Sequence, residues 1–274
     1  MSPDDYCADK VAQRGTALFY AVLRLPPEKR RALIAVHAFR QEVEDVAVEC
    51  ADPAICAIKL EWWRQQLEAV YAGAAEHPVA LALQPVVRMW SLPQTRFQEI
   101  IEGVAADLAS PRYPDFGALA GYCHRTGSVP TEITAAILGY RDTRTVGCVR
   151  ELGRATRMAR LIRNIGLDAR RNRIYLPADE LARFSVAAAD LLHQRYSDRF
   201  QKLTEFQIDR VEGSFASALS DFPAVDRRAQ QPVLALAAIG RTLLGEIRAD
   251  GCRVLDRRMS LTPLRKLWIA WRTG

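Results

Sequence analysis

Residues Glu28–Cys50, EKRRALIAVHAFRQEVEDVAVEC, decide the fold class. Leu33, Val36, Phe39, Val43 and Val46 recur every three or four positions, which puts them on one face of a helix with the charged residues opposite. The same period runs outward in both directions. Upstream it predicts a helix over Tyr6–Leu23, ended by Pro26-Pro27. Downstream, Asp52-Pro53 opens a helix that carries Leu60, Trp63, Leu67 and Val70, with proline in the first turn, where its missing N–H costs nothing. Breaks are expected at 73–78, near Pro93 and at Ser110-Pro111-Arg112-Tyr113-Pro114. A long apolar helix follows over Asp115–Leu138, interrupted around Gly127–Pro130, and another spans Thr143–Asp168. Pro177 opens a short helix, and the pattern then predicts helices over Ala187–Tyr196, Asp198–Leu219, Pro232–Asp250 and Leu261–Arg272. No Asn-Gly hairpin and no period-two alternation marks a strand. No composition shift or fixed repeat divides the chain, so the expectation is all-α, one domain over residues 1–274.

The composition narrows the function classes. Hydrophobic residues are 49% and charged residues 26% of 274, ordinary for a packed globular chain. No apolar run is long enough to span a bilayer. The opening, Met1–Tyr6, is acidic and polar, unlike a signal or transit peptide. The six cysteines are scattered without a Cys-x-x-Cys pair, and the four histidines lack metal-ligand spacing. A reducing, cytoplasmic setting is therefore expected. A net charge of +6 suits a basic enzyme, an RNA binder or a protein touching anionic lipid, and does not choose among them.

The order of short motifs chooses. Phe19-Tyr20, Leu25-Pro26-Pro27 and Ala38-Phe39 lead into Glu42-Val43-Glu44-Asp45-Val46. Trp62-Trp63-Arg64, His77-Pro78-Val79, Ile101-Glu102-Gly103, Asp107-Leu108, Arg112-Tyr113 and Tyr122-Cys123 follow. Then come Ile162-Arg163, Gly166, Asp168-Ala169-Arg170-Arg171 and Arg173-Ile174-Tyr175-Leu176-Pro177. The tail has Leu255-Asp256-Arg257-Arg258 and Leu261–Trp268. Nearly the whole chain thus resembles the squalene/phytoene synthase family, most of all its bacterial presqualene diphosphate synthase branch.

That resemblance implies an isoprenoid-synthase-type helical bundle around a deep apolar central cavity. It implies a prenyltransferase that joins two farnesyl or geranylgeranyl diphosphates head to head through a carbocation. Two Asp-x-x-x-Asp motifs on facing helices place carboxylates one turn apart, hence on one face. They hold Mg²⁺, which neutralises the departing diphosphate, while a dry cavity shields the cation.

Here both motifs depart from that pattern. The first pair of metal positions reads Glu44 and Val48, so one carboxylate is longer and the other is absent. The second pair reads Asn164 and Asp168. The arginine before the first motif is Gln41, and a tyrosine one turn earlier is His37. Two polar neutral positions of the second helix are Arg157 and Arg160, while Arg163 is kept. From Arg154 to Arg173 there are seven arginines and one acid, Asp168. Each close cation pair there disfavours Mg²⁺ by on the order of 4 kcal/mol at intermediate dielectric. Guanidinium forks instead suit an anion directly.

The implied site is then Glu44 and Asp168 as residual metal ligands, with Val48 and Asn164 as degenerate positions. Gln41, Arg157, Arg160, Arg163 and Arg171 form the diphosphate contact, and His37, His124 and Glu132 face the cavity. Plainer readings compete. Asp168 and Glu44 can be helix-face partners of Arg163, Arg170 or Arg171. Trp62 and Trp63 read as core, and His124 as a satisfied buried histidine. Glu132 needs an arginine partner if it lies in an apolar wall. Arg170–Arg173 lacks the interleaved aromatics of a nucleic-acid site. The last helix, with Leu264, Leu267, Trp268 and Trp271 beside Arg265, Lys266 and Arg272, suits either packing or peripheral membrane contact.

The expectation is a protein of this family that binds a prenyl diphosphate or similar anionic amphiphile, with Mg²⁺-dependent condensation reduced or lost. Two readings stand beside it. One is an active enzyme making presqualene diphosphate or squalene through Glu44, Glu42, Asp45 and Asp168. The other is a non-catalytic assembly or interaction protein of the same fold, with a protein partner or an intact paralogue doing the chemistry.

Overall fold

Ser2 accepts a hydrogen bond from the Asp5 N–H, and the Asp5 carboxylate accepts one in return from the Ser2 N–H. This reciprocal cap satisfies otherwise orphaned donors and starts helix α1 (Pro3–Val11). The single helix expected over Tyr6–Leu23 is in fact two. Gly15 turns the chain at φ +102°, a backbone that side-chain-bearing residues rarely adopt, and Thr16 then caps α2 (Ala17–Val22). The deciding stretch forms α3 (Pro27–Glu49), with Leu33, Val36, Phe39, Val43 and Val46 buried as the period requires.

The computed structural model describes residues 1–50, 52–109 and 112–273. Asp52 caps α4 (Pro53–Ala72), and Gly73 closes it in a left-handed turn. The chain continues through α5 (Pro78–Met89) and α6 (Gln94–Ala109). Of the break expected at 110–114, Ser110 and Pro111 lie outside the described residues. Asp115 caps α7 (Phe116–Cys123), which widens into a π turn over His124–Ser128 before α8 (Val129–Leu138). The interruption expected around Gly127–Pro130 is this π turn, an extra residue in the helical ladder of the kind that recurs beside functional sites. The remaining helices are α9 (Arg144–Ala169), α10 (Ala178–Arg183), α11 (Ala188–Leu192), α12 (Asp198–Ser220), α13 (Gln231–Ala249) and α14 (Pro263–Arg272). Among the described residues there is no strand, only an isolated bridge between Arg112 and Ile174.

Helix α9 is the axis of the bundle, packing on α12, α13 and the α7–α8 segment. Its approach to the π turn before α8 is close enough to need glycine on both sides. A Cβ on Gly127 would lie 2.7 Å from the Gly153 carbonyl oxygen, and one on Gly153 would lie 2.6 Å from that of Gly127. One contiguous apolar cluster reaches from Cys7 in α1 to Ile269 in α14. Trp63 belongs to it, but Trp62 is 41% exposed, so only one of the two tryptophans expected in the core is there.

Candidate functional site

Helices α3 and α9 face each other across the cavities, each presenting side chains that its sequence period sets. On α3, His37, Gln41, Glu44 and Val48 fall on one side; on α9, Arg157, Arg160, Asn164 and Asp168 do the same. Between these helices and α2, α8 and α13 lies a cavity of about 390 Å³. Leu152 and Ala159 of α9 with Val233, Leu236, Ile239 and Leu243 of α13 give it an apolar wall. Lys10, Arg40, Arg157, Arg160, Arg163 and Arg258 also line it, and among the described residues no carboxylate does. A second cavity of about 200 Å³ shares Gln41, Arg157, Arg160 and Arg258 with the first. The acids Glu44, Asp45, Asp107 and Asp168 border this second cavity and not the first.

Glu44 is taken up by arginine. Its Oε1 lies 3.1 Å from Arg157 Nη1 and 3.6 Å from Arg40 Nη1, and its Oε2 lies 3.1 Å from Arg160 Nη1. Burial alone would push this carboxyl up, but Arg157, Arg40 and Arg160 together outweigh burial and hold it down at about 2. Burial likewise lowers Arg40, to about 10, against the pull of Glu44. Arg157 also donates to the Tyr122 hydroxyl and stands over its ring, 5.1 Å from the centroid. The plainer reading of Glu44 therefore had the right chemistry and the wrong partners. None of Arg163, Arg170 and Arg171 pairs with it; the cations come from its own helix and from α9.

Asp168 has no ion pair among the described residues, contrary to the helix-face bridge weighed for it. Burial raises its carboxyl to about 6, although Arg157, Arg160 and Arg171 pull the other way. The Asn164 side-chain oxygen accepts a hydrogen bond from Arg163 Nε at 3.0 Å. Val48 is 44% exposed at the rim of the second cavity. Gln41 donates to Asp45 at 2.6 Å, and Lys10 pairs with both Glu42 (3.1 Å) and Asp45 (2.9 Å). Among the described residues no three His, Cys, Asp or Glu side chains are placed to hold a metal ion.

The cavity assignments divide. His37 lines the larger cavity, half-buried as a residue, with its Nε2 buried and unpartnered among the described residues; burial, then Arg40, lowers it to about 3 and keeps it neutral. Arg163 lines the same cavity, and Arg171 stands exposed at the second one. Glu132 and His124 line neither cavity. The cavity-facing row of this segment is Gly127, Pro130, Thr131 and Thr134, and one residue's rotation puts Glu132 on the outer side. There it pairs with Arg96 and Arg150, as a buried carboxylate must. His124 is half-buried, and its imidazole is lowered by burial.

Three features escaped the sequence reading. Arg40 enters the site one residue before Gln41, and its four-residue offset from Glu44 was the available signal. Arg258 arrives from the segment before α14. Asp107 accepts from Tyr113 (2.7 Å) and Tyr175 (2.8 Å) and pairs with Arg173 at 2.5 Å. Tyr113, Tyr122 and Tyr175 pack ring on ring, 5.5–5.8 Å between centroids, and burial pushes all three phenols up. No local period links these residues.

The squalene/phytoene synthase profile matches residues 11–265. The chain belongs to the squalene/phytoene synthase family. A 15-cis-phytoene synthase of Synechocystis sp. is 29% identical, over 97% of this chain and 84% of its own. A phytoene synthase of Mycobacterium tuberculosis is 31% identical, over 92% and 84%. Among solved structures, a dehydrosqualene synthase in complex with ligand superposes with a TM-score of 0.88 at 22% identity, covering 99% of this chain and 95% of that one. A squalene synthase from Alicyclobacillus acidocaldarius gives 0.79 at 23%, over 91% and 94%. Both show that the all-α isoprenoid synthase fold is shared. Members of the family condense prenyl diphosphates head to head in Mg²⁺-dependent reactions. No helix of the described residues is long and apolar enough to cross a membrane.

Proposed function

We propose that this chain, acting as one domain, binds an anionic amphiphile of the prenyl diphosphate class, farnesyl diphosphate being the probe of choice. The polar head lies among the arginines, and the hydrocarbon follows the apolar wall of α9 and α13. The observation that carries this reading is the larger cavity's lining: six cations, a continuous aliphatic side and, among the described residues, no carboxylate. Arg160, Arg163 and Arg258 present charge to the head through charge-assisted hydrogen bonds. Arg157 is held in place by Glu44 and Tyr122. Neutral His37, with its free Nε2, offers a polar contact.

The side chains at the family's metal positions do not fit Mg²⁺, which demands near-octahedral oxygen ligation. Val48 supplies no donor, the Asn164 oxygen is engaged by Arg163, and Glu44 already balances arginine charge. Guanidinium then takes the neutralising role, so Mg²⁺-dependent condensation is reduced or lost. Asp168, free of ion pairs beside the shared wall, favours the second reading, an active enzyme with an altered metal arrangement. Against it, Glu42 and Asp45 are both bound by Lys10.

Calorimetric titration of farnesyl diphosphate, first in EDTA and then in Mg²⁺, tests the proposal alongside mass-spectrometric product analysis with NADPH. Equal binding in both, weakened by Arg160→Ala and Arg163→Ala, with no presqualene diphosphate or squalene, is the expected result. Binding that needs Mg²⁺, or pyrophosphate release above background, would establish the enzyme instead. No binding in either condition would leave the assembly or interaction role.

A further inference from the structure

Thr262 accepts from the Arg265 N–H and caps α14, whose two faces differ in exposure. The inner face is Lys266, Ile269, Ala270 and Thr273. Ala270 packs on Ala21 and Ala235, and its carbonyl accepts from Gln231 at 2.7 Å. The outer face is Leu264, Leu267, Trp268 and Trp271, spaced three and four apart and 77, 38, 54 and 66% exposed. Burying a tryptophan is worth more than burying almost any other side chain, so two left on one exposed stripe mark a surface that something covers.

Charge identifies the occupant. From Arg257 to Gly274 the chain carries five basic residues and no acid. Arg265 and Arg272 flank the stripe; Glu246 of α13 pairs with Arg265 at 2.6 Å and Asp250 pairs with Arg257, while the Arg272 guanidinium stands 5.1 Å from the Trp268 ring centroid. Tryptophan and leucine edged by arginine are what the headgroup region of a bilayer accommodates: rings at the boundary, cations on phosphate. At ten residues the helix is about 15 Å long, enough to lie in the interface and too short to cross it.

Position supports the same occupant. Lys266 donates to the Gly15 carbonyl at 2.8 Å, fixing α14 beside Thr16 and Ala17, which line the larger cavity. Burial, then Arg163 and Arg258, lowers the Lys266 ammonium, so the cationic wall of the cavity stands next to this helix.

We propose that the outer face of α14 docks on the surface of an anionic lipid bilayer, with Trp268, Trp271 and Leu264 at the headgroup boundary. Docking stands on α14 alone. That an amphiphile then passes from the bilayer to the cavity rests on the function proposed above.

The test is co-sedimentation of the full chain with vesicles of phosphatidylglycerol and phosphatidylcholine in equal parts, against phosphatidylcholine alone. The protein should sediment with the anionic vesicles, and the Trp268→Ser/Trp271→Ser pair should lower the bound fraction by on the order of tenfold, since such binding scales with buried apolar area. Farnesyl diphosphate binding by that pair should be unchanged, which separates this proposal from the cavity's function. Quenching of wild-type tryptophan fluorescence by brominated lipid provides a readout that needs no variant. Equal sedimentation by variant and wild type, or no quenching, would overturn the proposal. So would a concentration-dependent dimer that the double substitution abolishes, because the occupant would then be a second copy.

Discussion

Glu44 and Arg157 face each other across α3 and α9 at 3.1 Å, with 6 and 7% of their side chains exposed. One carboxylate here answers three guanidinium groups, since Arg40 and Arg160 also reach it. Mg²⁺ is held by oxygen ligands, usually including carboxylates. The present arrangement has a surplus of positive charge, and Arg40 Nε and Arg157 Nε are buried without acceptors among the described residues. An anion relieves both the charge and the unmet hydrogen bonds.

Glu44→Gln removes the carboxylate and leaves buried cations uncompensated. Breaking a buried pair from one side costs about 3–5 kcal/mol, and urea unfolding at neutral pH should show a loss of that order. Pyrophosphate should raise the variant's melting temperature more than the wild type's, because it restores the missing counter-charge. An equal shift in both would separate Glu44 from the anion site.

Asp168 gives the opposite sign. Its folded pKa, about 6, lies above its ordinary 3.8, so the folded state keeps a proton that the unfolded state has lost between those values. Its contribution to stability therefore falls as pH rises from about 4 to 6 and stays unfavourable above. Asp168→Asn should be more stable than wild type at pH 7, by on the order of 2 kcal/mol, with the difference vanishing near pH 4. The same variant should bind anions more tightly above pH 6. A constant stability difference across the range would refute a titrating Asp168.

Gly166 touches the segment that brings Arg258 to the cavity. Its N–H donates to the Val254 carbonyl at 3.1 Å. A Cβ there would overlap the Leu255 carbonyl oxygen and lie 2.6 Å from that of Val254. Gly166→Ala should cost about 1–3 kcal/mol as an overpacked contact between backbones. Gly213→Ala, on an exposed face of α12 with nothing within 4 Å, should instead stabilise by about 0.5–1 kcal/mol. Chemical denaturation of both variants checks the contrast.

Helix content was legible because its signal is local: the 3.6-residue period, proline at first turns and side-chain caps all lie within one element. The site was legible in part for the same reason. Arg157, Arg160, Asn164 and Asp168 share a face by spacing alone, and so do His37, Gln41, Glu44 and Val48. What joins the faces is not local. Glu44 could pair with any neighbouring arginine on sequence grounds, and only the way α3 faces α9 in the fold selects Arg157 and Arg160. Glu132 and His124 were placed by resemblance and not by spacing, and the fold turns Pro130, Thr131 and Thr134 to the cavity in their stead. The Asp107–Tyr113–Tyr175 cluster spans 68 residues, and although its members stand among the family-like motifs, no local spacing joins them.

Placing carboxylates at positions 48 and 164 tests the proposed loss of metal binding. Val48→Asp and Asn164→Asp alone would place new acids beside Arg157, Arg160 and Arg163, where ion pairing competes with metal. Adding Arg157→Gln and Arg160→Asn removes two of the three cations now on Glu44. The two introduced carboxylates then border one cavity with Glu44 and Asp168, and Arg40 is the remaining partner. The quadruple variant should gain Mg²⁺-dependent stabilisation, read as a rise in melting temperature with Mg²⁺ that the parent lacks, and Mg²⁺-dependent turnover of farnesyl diphosphate. The double variant should gain much less of either. If the quadruple variant folds and still ignores Mg²⁺, the arginines are not what keeps metal out.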